Sequence, residues 1–466
     1  MSIHRRILCK MWLIPYTLKA YLCRCPRFPT DAPWQVAVED GRRVPFLLCV
    51  VLTLLGLTCI FFAMSSGTTS TVIADFPIET SRTQIGLYLH NHSLFPQELD
   101  QDKAINDTNS ERRESNHDQN CIKKKFDISF LKVHKAGSTT LMKIFLRFAI
   151  ENKLNIVLPR RSKGYGFNYL GYGQTLAREK IVPLPANESY NILCNHVVYN
   201  REAFRSIMTE DTVYVGIIRE PVSYFKSAAS YYGFYKHLQN LYEGKIPQER
   251  IVGEFLKKTL EFLKNNSHTE QLIYYVNNKM SFDFGIPNQK FHDNVFVEEY
   301  IKELDRDFSL VLILEHFQES LVLMKRILCW NTKDILYVPL NAMEIEPSFD
   351  LNGEDIDNLR KWNSADFKLY NYFYKVFIAK IASYGEDLKE EVENFKSIQE
   401  NVKNFCNKIL GYHDTSSFVT FPNTKWGDGF MVTLKDCKLM MEPESTKLEM
   451  LIENAWTRYN ASKANT

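Results

Sequence analysis

From about residue 128 onward, runs of four to seven mostly Val, Ile, Leu and Phe residues alternate with stretches whose apolar positions recur every three or four residues. Ile128–Val133, Asn155–Leu158, Tyr190–Cys194, Thr212–Ile218 and Ser309–Leu314 read as strands. Thr139–Asn152 reads as a helix with Leu141, Ile144, Phe145, Phe148 and Ala149 on one face. Continuous apolar strands alternating with helices predict an α/β domain, a parallel β-sheet covered by helices on both faces, since crossover helices bury both sides of such a sheet. Ligands of these sheets bind beyond the carboxyl ends of the strands.

Ahead of this region the pattern changes twice. Val44–Met64 is a run of 21 uncharged, mostly apolar residues, about 31 Å long as a helix and so matched to a bilayer's hydrocarbon core. It starts too far from the N-terminus, and is too long, for a cleaved signal peptide. Eight Lys and Arg residues precede it, whereas Ser65–Asp100 holds Arg82 alone. That asymmetry predicts a signal-anchor with residues 1–43 cytosolic and the rest lumenal. Asn-x-Ser/Thr acceptors at Asn91, Asn106, Asn187, Asn265 and Asn460 all fall on the lumenal side. Residues 65–120, polar and without sustained period, read as a stem, and 121–466 as the lumenal globular domain.

Composition changes this picture little. The 466 residues are 45% hydrophobic and 24% charged with a formal net charge of +2, an ordinary globular balance that gives no sign of a nucleic-acid partner. Of ten cysteines, Cys121, Cys194, Cys329, Cys406 and Cys437 follow the apolar run. Disulfides persist in a lumenal compartment, and an odd number leaves at least one sulfur free or paired between chains. No Cys-x-x-Cys or His-x-x-x-His spacing suggests a metal site, and none is expected.

The candidate chemistry sits at strand ends. The first strand runs into Lys135-Ala136-Gly137-Ser138-Thr139-Thr140 and then the first helix. Small residues let backbone N–H groups close on an anion, the helix N-terminus adds its dipole, and Lys135 adds a full charge. The lysine precedes the glycine, unlike the ATP- and GTP-binding P-loop. A nucleotide-dependent kinase is disfavoured by that order and by the lack of an evident Mg²⁺-binding carboxylate after a strand. The strand Val213–Ile218 ends in Arg219-Glu220-Pro221, with Ser227 two turns into the next predicted helix. Arg219 and Ser227 suit a second anion; a surface ion pair with Glu220 is the alternative for Arg219 taken alone. His196 lies beyond a third strand end, and His134 adjoins Lys135.

Lys-x-Gly-Ser/Thr-Thr at Lys135–Thr139 resembles the 5′-phosphosulfate loop of sulfotransferases, and Arg-x-Pro-x-x-x-x-x-Ser at Arg219–Ser227 resembles their 3′-phosphate motif. Both serve 3′-phosphoadenosine-5′-phosphosulfate, PAPS. Phe130–Thr140, Leu314–Leu323 with Leu328-Cys329-Trp330, and Trp362-Asn363 with Asp366, Leu369 and Tyr370 are similar to the galactose 3-O-sulfotransferase family over roughly Cys121–Ser383. The resemblance implies a P-loop-like sulfotransferase fold in a type II Golgi membrane protein. It further implies transfer of sulfate from PAPS, without a metal, to the 3-hydroxyl of a β-galactose on a glycolipid or glycoprotein. It also implies that Lys135, Ala136, Gly137, Ser138, Thr139, Thr140, Arg219 and Ser227 hold the donor. Lys135 is then expected to stabilise the leaving phosphate and His196, similar to the base of related Golgi sulfotransferases, to act as the base; a structural role is the alternative for His196, and His134 is the rival base or an acceptor contact. The loop Lys163–Gly173 suits stacking on a galactose ring or is an aromatic-rich connection. A glycosaminoglycan O-sulfotransferase, a non-catalytic lumenal glycan-binding relative, and a homodimer all stay open at this point.

Overall fold

The computed structural model describes residues 35–37, 43–45, 123–160, 169–259, 261–262, 270–339, 349–409 and 417–464. The chain divides into two units, Met1–Glu111 and Arg112–Thr466. In the first, β1 (Gln35–Ala37) and β2 (Arg43–Pro45) pair antiparallel. The expected membrane span begins inside β2 with Val44 and Pro45, and its remainder lies outside the described residues, as does the expected stem. Among the described residues no helix is long and apolar enough to cross a membrane.

The second unit is built on a four-stranded sheet ordered β4-β3-β5-β6, from β3 (Ile128–Phe130), β4 (Ile192–Leu193), β5 (Val213–Ile218) and β6 (Leu310–Ile313). Every pair is parallel, as the continuous apolar runs predict. The expected strand at Asn155–Leu158 does not form and contributes a single bridge, Ile156 to Ile192. Pro159, which has no N–H to extend the ladder, follows at once. From β3 the chain crosses to β4 on one side and then to β5 on the other. The carboxyl end of β3 is therefore the topological switch point, where a ligand crevice opens.

Helix α1 (Ser138–Glu151) leaves that end with Leu141, Ile144, Phe145, Phe148 and Ala149 buried, and Lys143 and Arg147 on its other face are buried too. Arg147 is accommodated by donating to the carbonyls of Asp334 (2.6 Å) and Leu336 (2.9 Å). The last eighty or so residues, which carry little of the family resemblance, help cover α1. The long segment Ser364–Ile409, kinked at Gly385, is tied by the Cys406–Cys437 disulfide to the segment leading into the C-terminal helix Glu444–Ala464. Cys194 is buried and free. Cys329 is disulfide-bonded, with its partner outside the described residues.

The C-terminal helix reaches the strand that feeds the candidate site. Glu444 Oε1 lies 2.6 Å from the ammonium of Lys132, a side chain only 2% exposed. Burial lowers the Lys132 pKa and Glu444 opposes that shift. Glu444→Gln leaves this buried charge without its partner and is expected to destabilise the domain by about 3 kcal/mol, the low end for a buried pair because Glu444 is partly exposed. Urea denaturation checks this, and with Lys132→Met in the same chain the loss should shrink.

Candidate active site

The turn after β3 takes its shape from two residues in the left-handed region, Lys135 (φ +51°) and Gly137 (φ +70°). Alternation of this kind turns successive N–H groups toward one concavity, a nest suited to an anion. Gly137 suits that conformation, and a Cβ there would lie 2.5 Å from Cδ1 of Leu314 just past β6, so the leucine tip would have to shift. The left-handed Lys135 is disfavoured for an L side chain and is tied down by Arg219, whose Nη1 donates to the Lys135 carbonyl at 3.3 Å.

Among the cradle residues, Thr139 is exposed and Thr140 half-buried, while Ala136 is fully buried. The Ser138 hydroxyl donates to the Val133 carbonyl, so it closes the turn and leaves the backbone as its means of holding a ligand. Lys135 Nζ rests 3.6 Å from the centroid of the exposed Tyr231 ring. Burial and the neighbouring Arg219 lower its pKa to about 8. Two cations at a helix N-terminus fit a polyanionic donor. The sign of the pH dependence follows: Lys135 is charged below about pH 8, so affinity for 3′-phosphoadenosine-5′-phosphate (PAP), which is PAPS without its sulfuryl group, should fall as pH rises through that value. Calorimetric titration from pH 7 to 9.5 checks this, and Lys135→Met should flatten the profile.

Arg219 ends β5, and α2 (Pro221–Tyr231) starts two residues on with Pro221 at its first position. Glu220 spends its carboxylate capping α2, accepting from the N–H groups of Val222 (2.9 Å) and Ser223 (2.7 Å). Ser227 lies half-buried on α2. Glu315, just after β6, accepts the Glu220 N–H at 2.9 Å. His316 turns away, its ring packing against Tyr374 and Phe377, in line with a packing role.

His134 and His196 meet face to face, ring centroids 4.0 Å apart and planes 23° from parallel. They come from the ends of neighbouring strands, β3 and β4, which explains the meeting. His196 Nδ1 lies 2.9 Å from the Lys132 carbonyl, a partner that fixes Nδ1 as the protonated nitrogen and leaves Nε2 a lone pair. Burial, then the neighbouring His134 and Lys132, hold the His196 pKa well below 6.5. Tyr169 stands edge-on to His196 at 4.6 Å, and Tyr275, stacked on Tyr232 at 3.8 Å, lies 6.0 Å from His134. Of the aromatic loop, residues 163–168 lie outside the described residues, while Tyr169 and the exposed Tyr172 join this wall. Arg160 donates to the Ile181 carbonyl at 3.0 Å.

Sequence reasoning missed two residues beneath the histidines. Helix α3 (Glu270–Val276) is followed by the short helix α4 (Lys279–Asp283). From α4, Asp283 Oδ2 accepts from His134 at both Nδ1 (2.8 Å) and the backbone N–H (3.0 Å). Lys279 Nζ sits 2.7 Å from Asp283 Oδ1 and 2.6 Å from the Tyr274 hydroxyl. Burial alone would raise the Asp283 pKa, but His134 and Lys279 hold it down at about 2. Burial lowers the His134 pKa, partly offset by Asp283.

The Trp362-Asn363 and Asp366 phrase acquires a role here. The Trp362 carbonyl accepts from Asn277 (3.0 Å) and Asn278 (3.1 Å), and the Asn363 amide donates to the Val276 carbonyl at 2.9 Å. Asp366 Oδ1 accepts from the Ser281 N–H at 2.7 Å. These bonds frame α4 and so set where Asp283 points. Among the described residues no group of three or more His, Cys, Asp or Glu side chains is placed to hold a metal ion.

A parallel sheet with an anion cradle at its switch point, a second cation at the next strand end and a histidine pair beside them define an α/β protein of the sulfotransferase class. The chain belongs to the galactose-3-O-sulfotransferase family, whose model, described as Galactose-3-O-sulfotransferase, matches residues 38–414. It is 31% identical over 281 residues to the galactosylceramide sulfotransferase of Mus musculus, a match covering 60% of this chain and 64% of that protein. It is also 31% identical to Galactose-3-O-sulfotransferase 2 of Homo sapiens over 283 residues, 60% of this chain and 68% of that protein. With Galactose-3-O-sulfotransferase 3 of Bos taurus the identity is 29% over 287 residues, 61% and 64% of the two chains. The match thus spans a little under two thirds of the galactosylceramide sulfotransferase it resembles.

Proposed function

We propose that this protein transfers a sulfuryl group from PAPS to the 3-hydroxyl of a β-galactose residue on a glycolipid or glycoprotein glycan. The observation that carries the reading is the meeting of Lys135 and Arg219 at the switch point with the stacked His134 and His196 beside them. The nest of Lys135–Thr140 and the start of α1 would hold the 5′-phosphosulfate, and Arg219 with Ser227 the 3′-phosphate. PAPS brings the activated sulfuryl group; the chain's own residues bind it, orient the acceptor and take its proton. Lys135 offsets charge developing on the leaving phosphate. The proton goes to the stacked pair, of which His196 is the ring the sequence singles out. Tyr169, Tyr172 and Tyr275 offer faces for the apolar side of a galactose, and the names of the relatives favour galactose as the acceptor sugar.

We also propose a single-pass type II protein of the Golgi membrane, anchored by Val44–Met64, with the catalytic domain lumenal. The charge asymmetry around that run supports this, as does the exposure of the acceptor sites Asn187 and Asn460.

The test is sulfate transfer from radiolabelled PAPS by the full-length protein in detergent. The acceptors are galactosylceramide, lactose-type and Galβ1-3GalNAc-type glycans, and heparan precursors. Label on galactose C3 oxygen supports the reading and shows which acceptor class is used. Label on a uronic acid or hexosamine would replace galactose as the acceptor, and no PAP binding at all would remove the donor assignment. Arg219→Ala should weaken PAP about 10- to 100-fold, the worth of hydrogen bonds to a charged group, with little change in kcat at saturating donor. Unchanged PAP affinity by calorimetry would detach Arg219 from the 3′-phosphate.

A further inference from the structure

The stacked pair presents two rings that differ in what stands behind them. His196 Nδ1 faces a peptide carbonyl, Lys132 O, at 2.9 Å. His134 Nδ1 faces the carboxylate of Asp283 at 2.8 Å. Either partner fixes the tautomer, but a carbonyl offers only a dipole. An ionised carboxylate also stabilises the imidazolium that forms when Nε2 takes a proton.

Resting on the sulfotransferase reading above, we infer that Asp283 is a positioning residue of the reaction. It holds His134 with Nδ1 protonated, leaves Nε2 as the accepting nitrogen, and makes His134 the ring that receives the proton of the attacking hydroxyl. As the acceptor oxygen forms its bond to sulfur, the bond from sulfur to the 5′-phosphate oxygen breaks. The O–H proton passes to His134 Nε2, and the electron pair of the broken bond stays on the phosphate oxygen, offset by Lys135.

The surroundings of Asp283 suit this task. Its side chain is 3% exposed, and a carboxylate so placed stays ionised only with strong partners. Lys279, fully buried, supplies one full charge at 2.7 Å. The backbone N–H of His134, at 3.0 Å on the same oxygen as Nδ1, locks the histidine's main chain and ring to one carboxylate. The groups facing His134 are Asp283 and Lys279 from α4, Tyr275 from α3, Lys132 on its own segment, and His196 with Tyr169 on its other side. Of these Asp283 carries the negative charge, so removing it leaves the ring facing the cations Lys279 and Lys132 with no counter-charge.

Asp283→Asn keeps the size and a hydrogen bond while deleting the charge. In the full-length protein the expected result is a kcat lower by about 100-fold with PAP affinity retained. The acid limb of kcat/KM for the galactose acceptor should move down by about one pH unit, because an imidazole without its counter-charge protonates less readily. Asp283→Glu should return the limb toward its original position. Since Asp283→Asn strands Lys279 in the interior, the measurements are repeated with Lys279→Met in the same chain, which removes both charges together. Single variants separate the rings: His134→Asn should abolish the limb and His196→Asn should retain it. NMR titration of ¹³C-labelled histidine follows His134 without turnover.

A limb and a His134 titration unmoved in both Asp283→Asn chains, with activity lost only in proportion to the folded fraction, overturn the inference and leave Asp283 a packing residue. If the wild-type protein transfers no sulfate to any acceptor, the functional reading falls by itself. The NMR titration then still decides the pairing: a His134 pKa unchanged by Asp283→Asn overturns it.

Discussion

Lys135→Ala should lower kcat for sulfate transfer by about 10²- to 10³-fold, the cost of removing one preorganised donor from developing charge, while the melting transition stays in place. The side chain reaches from a left-handed turn to the face of an exposed tyrosine, so truncation opens no core cavity. Its ammonium is the flexible charge at the cradle, the backbone nest and Arg219 being fixed. PAP binding should weaken less than kcat falls, because the nest and helix terminus remain and the lysine acts most strongly as the phosphate leaves. Single-turnover kinetics with saturating PAPS, beside calorimetric PAP titration, measure both quantities. Equal losses in binding and kcat would make Lys135 a general anchor for the donor with no special part in the transition state.

Replacing both stacked rings, His134→Asn together with His196→Asn, is expected to remove general-base catalysis, about 10²- to 10⁴-fold in kcat, at nearly unchanged PAP affinity. Asparagine can still donate to the groups that Nδ1 serves now, the Asp283 carboxylate and the Lys132 carbonyl, so both polar partners stay satisfied. What disappears is a nitrogen able to take a proton near neutral pH. The wild-type rate should therefore fall on the acid side as the pair protonates, and the double variant should show a low, flat profile there. A double variant with normal turnover and the same acid limb would place the base elsewhere in the crevice.

Much of this architecture was legible because it is local. The strand, turn and helix at Ile128–Glu151 follow from apolar runs, a glycine and a helical stripe, each confined to a few neighbouring residues; the helix lies within one residue of expectation, and the strand starts where expected but ends three residues earlier, at Phe130. Arg219 before Pro221 likewise reads as a strand end entering a helix, and that is its position. Asn155–Leu158 failed as a strand because apolar character is indifferent to whether a partner lies alongside, and the following proline ends the ladder. The Trp362, Asn363 and Asp366 phrase was recognisable by resemblance, yet its task of framing α4 depends on bonds to residues about 85 positions earlier.

An α/β domain with a lysine-first anion loop, a second cation at another strand end and histidines at strand ends could be read from the chain, since these are short-range patterns of side-chain size and charge. The three-dimensional fold was needed to show that β4 and β5 flank β3, that His134 and His196 stack, that Asp283 and Lys279 pack against them, and that Glu444 neutralises Lys132 from 312 residues away. The physical reason is burial. Inside a crowded, low-dielectric interior a charge must find its counter-charge, and which one it meets is set by how the chain folds back on itself.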